Sequence, residues 1–260
     1  MNILAVDTCL EPGSITLLLE NSFPVSDSRA TGKPEIVALP RGWRSVSLHE
    51  EIRQLLARNS LSTANIDLYA VTAGPGAFTG VRLGLTAVKG LAEVHDKPVI
   101  SISTLQALAF GGNSRNFREV TIGKNLSGPA SACAHFAPVF DARRGQVFAA
   151  LYHLSQDEGA SLQTVIPDSV CSLQTFLMRI QSAGLPAKEL CFCATDKTLL
   201  LPTIEEFGWT TDSVIGVSPR IAGTVARMAL ERFRRGKGSG ALDAGANYVR
   251  ASDAELFWKD

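Results

Sequence analysis

The 260-residue sequence has no excess of charge of either sign, with 25 Lys and Arg against 25 Asp and Glu. Affinity for nucleic acid is driven largely by Lys and Arg neutralising phosphates, so the chain lacks the general electrostatic footprint for gripping RNA or DNA alone. It also lacks an apolar run near twenty residues and an N-terminal basic-then-apolar segment. A membrane span and an export signal are therefore not expected, and the reading is a cytoplasmic protein. Its five cysteines, Cys9, Cys133, Cys171, Cys191 and Cys193, are an odd, scattered set without a Cys-x-x-Cys pair. Cys191 and Cys193 alternate with Phe192 inside an apolar run, which suits a buried strand better than a metal clasp. The four histidines, His49, His95, His135 and His153, include no two at the close spacing that holds a metal on a helix. No P-loop, dinucleotide glycine pattern or Gly-x-Ser-x-Gly nucleophile elbow occurs. No catalytic residue is assigned on these grounds, and neither a cofactor nor a metal is expected.

What is present centres on residues 69–92. A short apolar strand, Tyr69-Ala70-Val71-Thr72, runs into Gly74-Pro75-Gly76-Ala77-Phe78-Thr79-Gly80-Val81-Arg82, where a helix is expected from about Thr79. Gly74 and Gly76 flank a proline of fixed φ and permit positive φ on either side, and Thr79 is placed to cap the helix through its hydroxyl. Such a strand-to-helix elbow turns backbone N–H groups and the positive helix end outward. Two readings stand: an anion or partner site, or a sharp turn that simply needs small residues.

The rest of the chain reads as α/β in two related halves. Asn2-Ile3-Leu4-Ala5-Val6 ends at Asp7-Thr8, and after Pro12-Gly13 a second apolar run follows in Ser14–Leu19. The pattern recurs downstream, where Ala137-Pro138-Val139-Phe140 leads to Asp141 and, past Arg143-Arg144-Gly145, to Gln146–Tyr152. Two strand-Asp-turn-strand units predict two lobes, each opening with an antiparallel hairpin. The expected division is a first lobe over 1–110, a linker or insertion over 111–135 and a second lobe over 136–260, with helix 218–235 free to pack back toward the first lobe. Residues 21–42 read as an enlarged loop or a strand with ragged flanks.

Two amphipathic helices are expected in the first lobe. One starts at Ser47, in a capping-box pattern with Glu50, and carries Leu48, Ile52, Leu55 and Leu56 on one stripe; the other is the helix after the elbow, with Val81, Leu85 and Val88 at helical spacing. Gly84 inside the second costs roughly 1 kcal/mol of helix stability, which marks a place where another chain segment comes close. The two stripes either pack on their own sheet or form a face for a partner. Further on, Ser172 is expected to start a helix and Ser218-Pro219 another, and Leu190–Ala194 to form a strand followed by Ala194-Thr195-Asp196-Lys197.

The string Gly-Pro-Gly-Ala-Phe-Thr-Gly-Val-Arg-Leu-Gly at 74–84, with Ala87-Val88-Lys89-Gly90-Leu91-Ala92 after it, closely resembles the signature of the TsaB (YeaZ) family, where serine is usual in place of Ala77. The segments Asp141–Val147 and Asn247-Tyr248-Val249-Arg250 resemble two further family features, so the resemblance touches both ends and the middle of the chain. It implies a two-lobed actin/hexokinase/Hsp70-like, ribonuclease H-like fold with duplicated lobes. It also implies a non-catalytic subunit that works with TsaD and the ATPase TsaE in forming threonylcarbamoyladenosine on tRNA next to the anticodon, reaching tRNA only through that complex. The docking face for TsaD would comprise Leu48, Ile52, Leu55, Leu56, Gly76, Ala77, Phe78, Thr79, Gly80, Val81, Arg82 and Gly84, and would serve a homodimer when TsaD is absent. In the superfamily the first hairpin's acid sits near nucleotide phosphates, so Asp7 and Thr8 are candidate nucleotide-facing residues; otherwise Asp7 ends its strand and bonds its own turn. Two rival activities are a free-standing small-molecule kinase of the same superfamily and a glycoprotease-like hydrolase. The missing glycines after Ala194 count against the first, and the missing metal ligands count against the second.

Overall fold

The computed structural model describes residues 1–19, 35–40, 42, 45–112, 133–155, 161–236, 238, 240 and 244–249. In chain order the strands and helices are β1 (Asn2–Asp7), β2 (Ser14–Leu19), β3 (Glu35–Ala38), α1 (Ser45–Arg58), β4 (Leu68–Thr72), α2 (Phe78–Val94), β5 (Val99–Ile102) and α3 (Thr104–Gly112), followed by β6 (His135–Asp141), β7 (Val147–Ser155), β8 (Ser161–Cys171), α4 (Leu173–Ser182), β9 (Leu190–Ala194), α5 (Leu201–Ile204), β10 (Val214–Gly216) and α6 (Ala222–Arg234). Most of the two expected insertions lies outside the described residues. Of 21–42, the part described contributes β3, an edge strand of the first sheet. Among the described residues no helix is long and apolar enough to cross a membrane.

The strands form two five-stranded mixed sheets, in the orders β3-β2-β1-β4-β5 and β8-β7-β6-β9-β10. Their pairing senses repeat: β1 and β6 each pair antiparallel with the next strand and parallel with β4 or β9. Such an order follows when a hairpin is succeeded by right-handed crossovers through helices, and it is the duplicated α/β, actin-like arrangement that the resemblance implies.

Met1–Thr104 and Pro219–Asn247 form one compact unit, and Leu105–Ser218 and Tyr248–Asp260 the other. The partition does not follow the chain in two blocks. Helix α6 comes after the last strand of the second sheet yet belongs to the first unit, where it packs on β1, β2, β4 and β5.

In the first unit one face of the sheet, with Leu4, Val6, Ile15, Leu17, Tyr69, Val71 and Val99, meets the apolar stripes of α1 and α2. Its other face meets α6, whose first-turn backbone N–H at Ala222 donates to Ser14 Oγ on β2 at 3.1 Å. That helix was expected from Ser218-Pro219 and starts at Ala222 instead. Its cap comes from a strand 208 residues away rather than from a local serine, so the local signal misplaced the start. Helix α1 likewise begins at Ser45 rather than Ser47, and Glu50 turns down the helix to bond Arg53 and Gln54. Ser172 caps α4 as expected, accepting from the Thr175 N–H at 3.1 Å.

The second unit has its own core of Val139, Val147, Ala149, Leu151, Phe176, Leu177, Ile180, Phe192 and Trp209. β9 is buried along its whole length, Cys191 and Cys193 included. Cys191 is in a disulfide with Cys133, their Cα atoms 6.1 Å apart.

Candidate functional site

The elbow between β4 and α2 is built by two neighbouring strand ends. β1 and β4 are parallel partners, with Val6 beside Val71, so the residues after them leave the sheet side by side. Thr8 and Cys9 consequently lie against the glycine-rich turn. A Cβ on Gly76 would stand 2.6 Å from both the Cβ and the carbonyl oxygen of Cys9. One on Gly80 would overlap the carbonyl oxygen of Thr8, and one on Gly84 would overlap the Thr8 hydroxyl. Gly80 and Gly84, one turn apart, form a line along α2 against which Thr8 rests, and Gly76 extends the contact to Cys9 from the turn before the helix. Thr8 Oγ1 donates to the Gly80 carbonyl at 2.7 Å.

Two local expectations are corrected. Positive φ occurs at Gly74, at +104°, and not at Gly76, whose requirement is the absence of a Cβ beside Cys9. Thr79 does not cap α2. The N-cap is Ala77, without a side-chain bond to the helix, and Thr79 lies exposed in the first turn. Serine at 77, as is usual in the family, would bring a capping hydroxyl; alanine leaves the cap to backbone, with Val81 N–H donating to the Ala77 carbonyl at 2.9 Å. A late segment of the chain closes the turn from the other side: Asn247 N–H donates to the Ala73 carbonyl at 2.7 Å, and the Asn247 carbonyl stands where a Cβ on Gly74 would come within 2.8 Å.

Asp7 sits at the end of β1, fully buried. Its Oδ1 accepts from the Cys9 N–H at 3.0 Å and from Thr72 Oγ1 at 2.8 Å, while Oδ2 has no hydrogen-bond partner. Burial raises its pKa to about 7, partly offset by those hydrogen bonds, and burial together with the nearby Asp7 charge raises Cys9 to about 12. Asp7 thus bonds its own turn through the Cys9 N–H and the end of β4 through the Thr72 hydroxyl. Thr8 is also buried. Asp7 ties β1 to the end of β4 through Thr72, and Thr8 ties it to α2 through the Gly80 carbonyl.

The docking residues named from the sequence separate into two groups. Leu48, Ile52, Leu55, Leu56 and Val81 are all at most 2% exposed and belong to the core of the first unit. Gly80 and Gly84 are buried against Thr8, and Gly76 is half-buried against Cys9. The amphipathic stripes are consumed by their own sheet, because a one-sided helix covers the nearest apolar surface first. Ala77, Phe78, Thr79 and Arg82 are exposed. The Arg82 guanidinium lies over the Phe78 ring, 3.8 Å from its centroid, and Thr86, Gly90, Glu93 and Val94 continue the exposed side of α2.

Other arrangements become visible only with the fold. His135 and His153 are directly opposite on β6 and β7, with ring centroids 4.8 Å apart, although eighteen residues separate them in sequence. The hairpin register was the signal that could have joined them. Arg143, Arg144 and Gly145 all have positive φ at the tip of this hairpin, and Asp141 Oδ1 accepts from the Arg143 N–H at 2.7 Å. After β9, Asp196 caps a short 3-10 turn by accepting from the Thr198 N–H at 2.9 Å, so its carboxylate serves its own backbone. Among the described residues no three His, Cys, Asp or Glu side chains come together as a metal-binding group.

Comparison with known proteins agrees with this architecture. Residues 44–207 match the model of the family described as TsaD, tRNA N6-adenosine threonylcarbamoyltransferase. The chain is 29% identical over 261 aligned positions to the tRNA threonylcarbamoyladenosine biosynthesis protein TsaB of Bacillus subtilis, covering 99% of this chain and 98% of that one. It is 27% identical over 157 positions to TsaB of Escherichia coli, covering 60% and 57% of the two chains. A crystal structure of a Pseudomonas aeruginosa protein with similarity to peptidase YeaZ superposes with a TM-score of 0.71 at 24% identity, over 96% of this chain and 99% of that one, and shows the shared fold. With a family match spanning more than half of the chain, and an end-to-end likeness to a TsaB, the chain belongs to the TsaD family and, within it, to the TsaB (YeaZ) branch.

Proposed function

We propose that this chain is a non-catalytic subunit in the formation of threonylcarbamoyladenosine on tRNA, acting by docking on TsaD, with TsaE joining the complex. The observation that carries the reading is the end-to-end likeness to a protein named for that biosynthesis, 99% of one chain against 98% of the other. Zero net charge supports contact with tRNA through the complex rather than by this chain alone. The burial of Asp7 and Thr8 and the self-capped turn at Asp196 support a role without phosphate chemistry in this chain.

The docking surface in this reading is the exposed side of α2 around Ala77, Phe78, Thr79 and Arg82, with Thr86 beyond. An aromatic ring backed by an arginine is the kind of pair that anchors protein interfaces. Gly80 and Gly84 beneath seat the helix closely on the end of β1, with its exposed side turned away from that contact. In the absence of TsaD the same side is assigned to a homodimer, since related first lobes that pair with one another favour self-complementary surfaces.

The test is co-purification of the chain with TsaD, together with rescue of threonylcarbamoyladenosine in a cell depleted of its own TsaB, read by nucleoside mass spectrometry. Phe78→Glu and Thr86→Glu, both at exposed positions, are expected to fold normally, to weaken TsaD binding by tenfold or more, on the order of a hot-spot loss, and to lower the modification. Normal modification by a chain that binds no TsaD would overturn the role as partner. Unaltered binding by both folded variants would leave the role and remove the surface.

A further inference from the structure

The first turn of α2 carries the exposed Phe78, Thr79 and Arg82, and with Ala77 at the N-cap it has no side-chain cap. The opening N–H groups of a helix find no partner within the helix, so an uncapped first turn opens more readily than the turns behind it. Its support has to come from other parts of the first unit. Thr8 and Cys9 lie beneath, and the Cys9 carbonyl accepts from the Ala77 N–H at 3.4 Å. The segment 244–247 supplies a second support, at the entry to the turn.

Two residues, Ala73 and Gly74, lead from β4 into the elbow. β5 and the residue that opens α3 hold one side of them: Ala73 N–H donates to the Ile102 carbonyl, and the Gly74 carbonyl accepts from the Thr104 N–H, each at 2.8 Å. The segment 244–247 holds the rest. Asn247 N–H donates to the Ala73 carbonyl at 2.7 Å, and Ala73 is buried, so a displaced Asn247 would leave a buried acceptor without that bond. A Cβ on Gly74 would meet the Asn247 carbonyl at 2.8 Å and Val81 Cγ2 at 3.4 Å. Gly74 therefore sits between this segment and Val81, which is one turn after Phe78 and next to Arg82. Ala244 is buried in the same core as Val81 and Leu85, and Ala246 packs against it. Gly245, between the two alanines, faces open space.

We infer that Ala244, Ala246 and Asn247 are positioning residues for the docking side of α2, acting through Ala73, Gly74 and Val81. Seated on the elbow, they hold the uncapped first turn in the form that presents Phe78 and Arg82. This role rests on the proposed docking of TsaD through that side. By linkage, a partner that binds the ordered turn also favours the seated segment.

The full chain is compared with Asn247→Pro, which removes the donating N–H, and Ala244→Glu, which puts a carboxylate at a buried position. Gly245→Ala is the control in the same segment. Amide hydrogen exchange of the free chain is read by NMR and TsaD affinity by calorimetry, both well below each melting temperature. In the first two variants exchange at the Val81 N–H, which donates to the Ala77 carbonyl, should speed up about tenfold more than at Val88, and TsaD should bind about tenfold more weakly. Gly245→Ala should leave both readings unchanged. Ala77→Ser, which brings a capping hydroxyl, should restore slow exchange at Val81 in the Asn247→Pro background. A segment that merely stabilises the fold would lower the melting temperature alone, and that result in folded variants overturns the positioning role. If neither variant folds, the unmutated chain decides: saturating TsaD should slow exchange at the Asn247 N–H, and equal exchange overturns the role. An unmutated chain that binds no TsaD overturns both readings, with a loosened first turn in the free variants tracing the failure to the docking surface and an unchanged one tracing it to the segment as well.

Discussion

Thr8 and Gly80 are locked together by a 2.7 Å hydrogen bond from the threonine hydroxyl to the glycine carbonyl, across 72 residues of sequence. The hydroxyl occupies the space that a side chain on Gly84 would need, and the Thr8 carbonyl occupies the space that one on Gly80 would need. The glycine-rich signature is therefore first a packing device. It brings a helix backbone onto the end of β1.

Glycine substitutions along α2 should separate by what each Cβ meets. Alanine gains about 1 kcal/mol of helix propensity over glycine, and overpacking costs typically 1–3 kcal/mol. Gly80→Ala, which strikes backbone, is expected to destabilise most, and Gly84→Ala, which strikes a side chain, less. Gly90→Ala, with open space around it, should stabilise. Denaturant midpoints of the three variants, measured at one pH, give the order.

Core and surface of the two helices should respond differently. Leu48 is fully buried, and Leu48→Ala is expected to cost about 2–5 kcal/mol. Phe78 is 37% exposed, so Phe78→Ala should change stability by no more than about 1 kcal/mol, chiefly through its contact with Arg82. Thermal unfolding of both variants checks this. A large loss at Phe78 would mean that its ring packs into the first unit.

Asp7 makes stability depend on pH in the direction opposite to an ion-paired carboxylate. Its folded pKa, about 7, lies above the unfolded value near 3.8, so between them the folded chain holds more protons. The group costs nothing below pH 3.8, costs progressively more as pH rises toward 7, and reaches a plateau above. The slope from this group is at most about 1.4 kcal/mol per pH unit. Asp7→Asn keeps an acceptor for Cys9 and Thr72 and removes the charge. Urea unfolding from pH 4 to 8 should show a flatter profile for the variant, with its advantage largest above pH 7.

The Cys133–Cys191 disulfide closes a loop of 58 residues. In the chain-entropy account a loop of this length contributes about 4 kcal/mol, an upper figure for the bond. Dithiothreitol is expected to lower unfolding free energy by roughly 2–4 kcal/mol, and Cys133→Ser to lower it similarly while abolishing the response to reductant. Intact mass before and after alkylation should show two fewer free thiols in the untreated chain than in the reduced one.

Much of the fold was legible because its signals are local. The two apolar runs between Asn2 and Leu19, the cap at Ser172 and the apolar stripes of α1 and α2 each depend on neighbours within a short stretch of chain. Signals with distant partners were misread: α6 starts where Ser14 supplies its cap, and Gly76 serves Cys9 rather than a positive φ. The candidate docking face shows the limit most clearly. Periodicity identified an apolar side on each helix, but it could not say that Leu48, Ile52, Leu55, Leu56 and Val81 were already taken by the sheet of their own unit.

The α/β class, the repeated hairpins, the elbow at 74–84 and the family are each written in the order and spacing of residues along single stretches of chain. Which of the elbow's residues remain exposed, the burial of Asp7 and Thr8, the place of α6 in the first unit and the meeting of His135 with His153 emerge only once the chain is folded. Those outcomes depend on strand register and on competition for apolar surface, in which residues far apart in sequence occupy the same few ångströms.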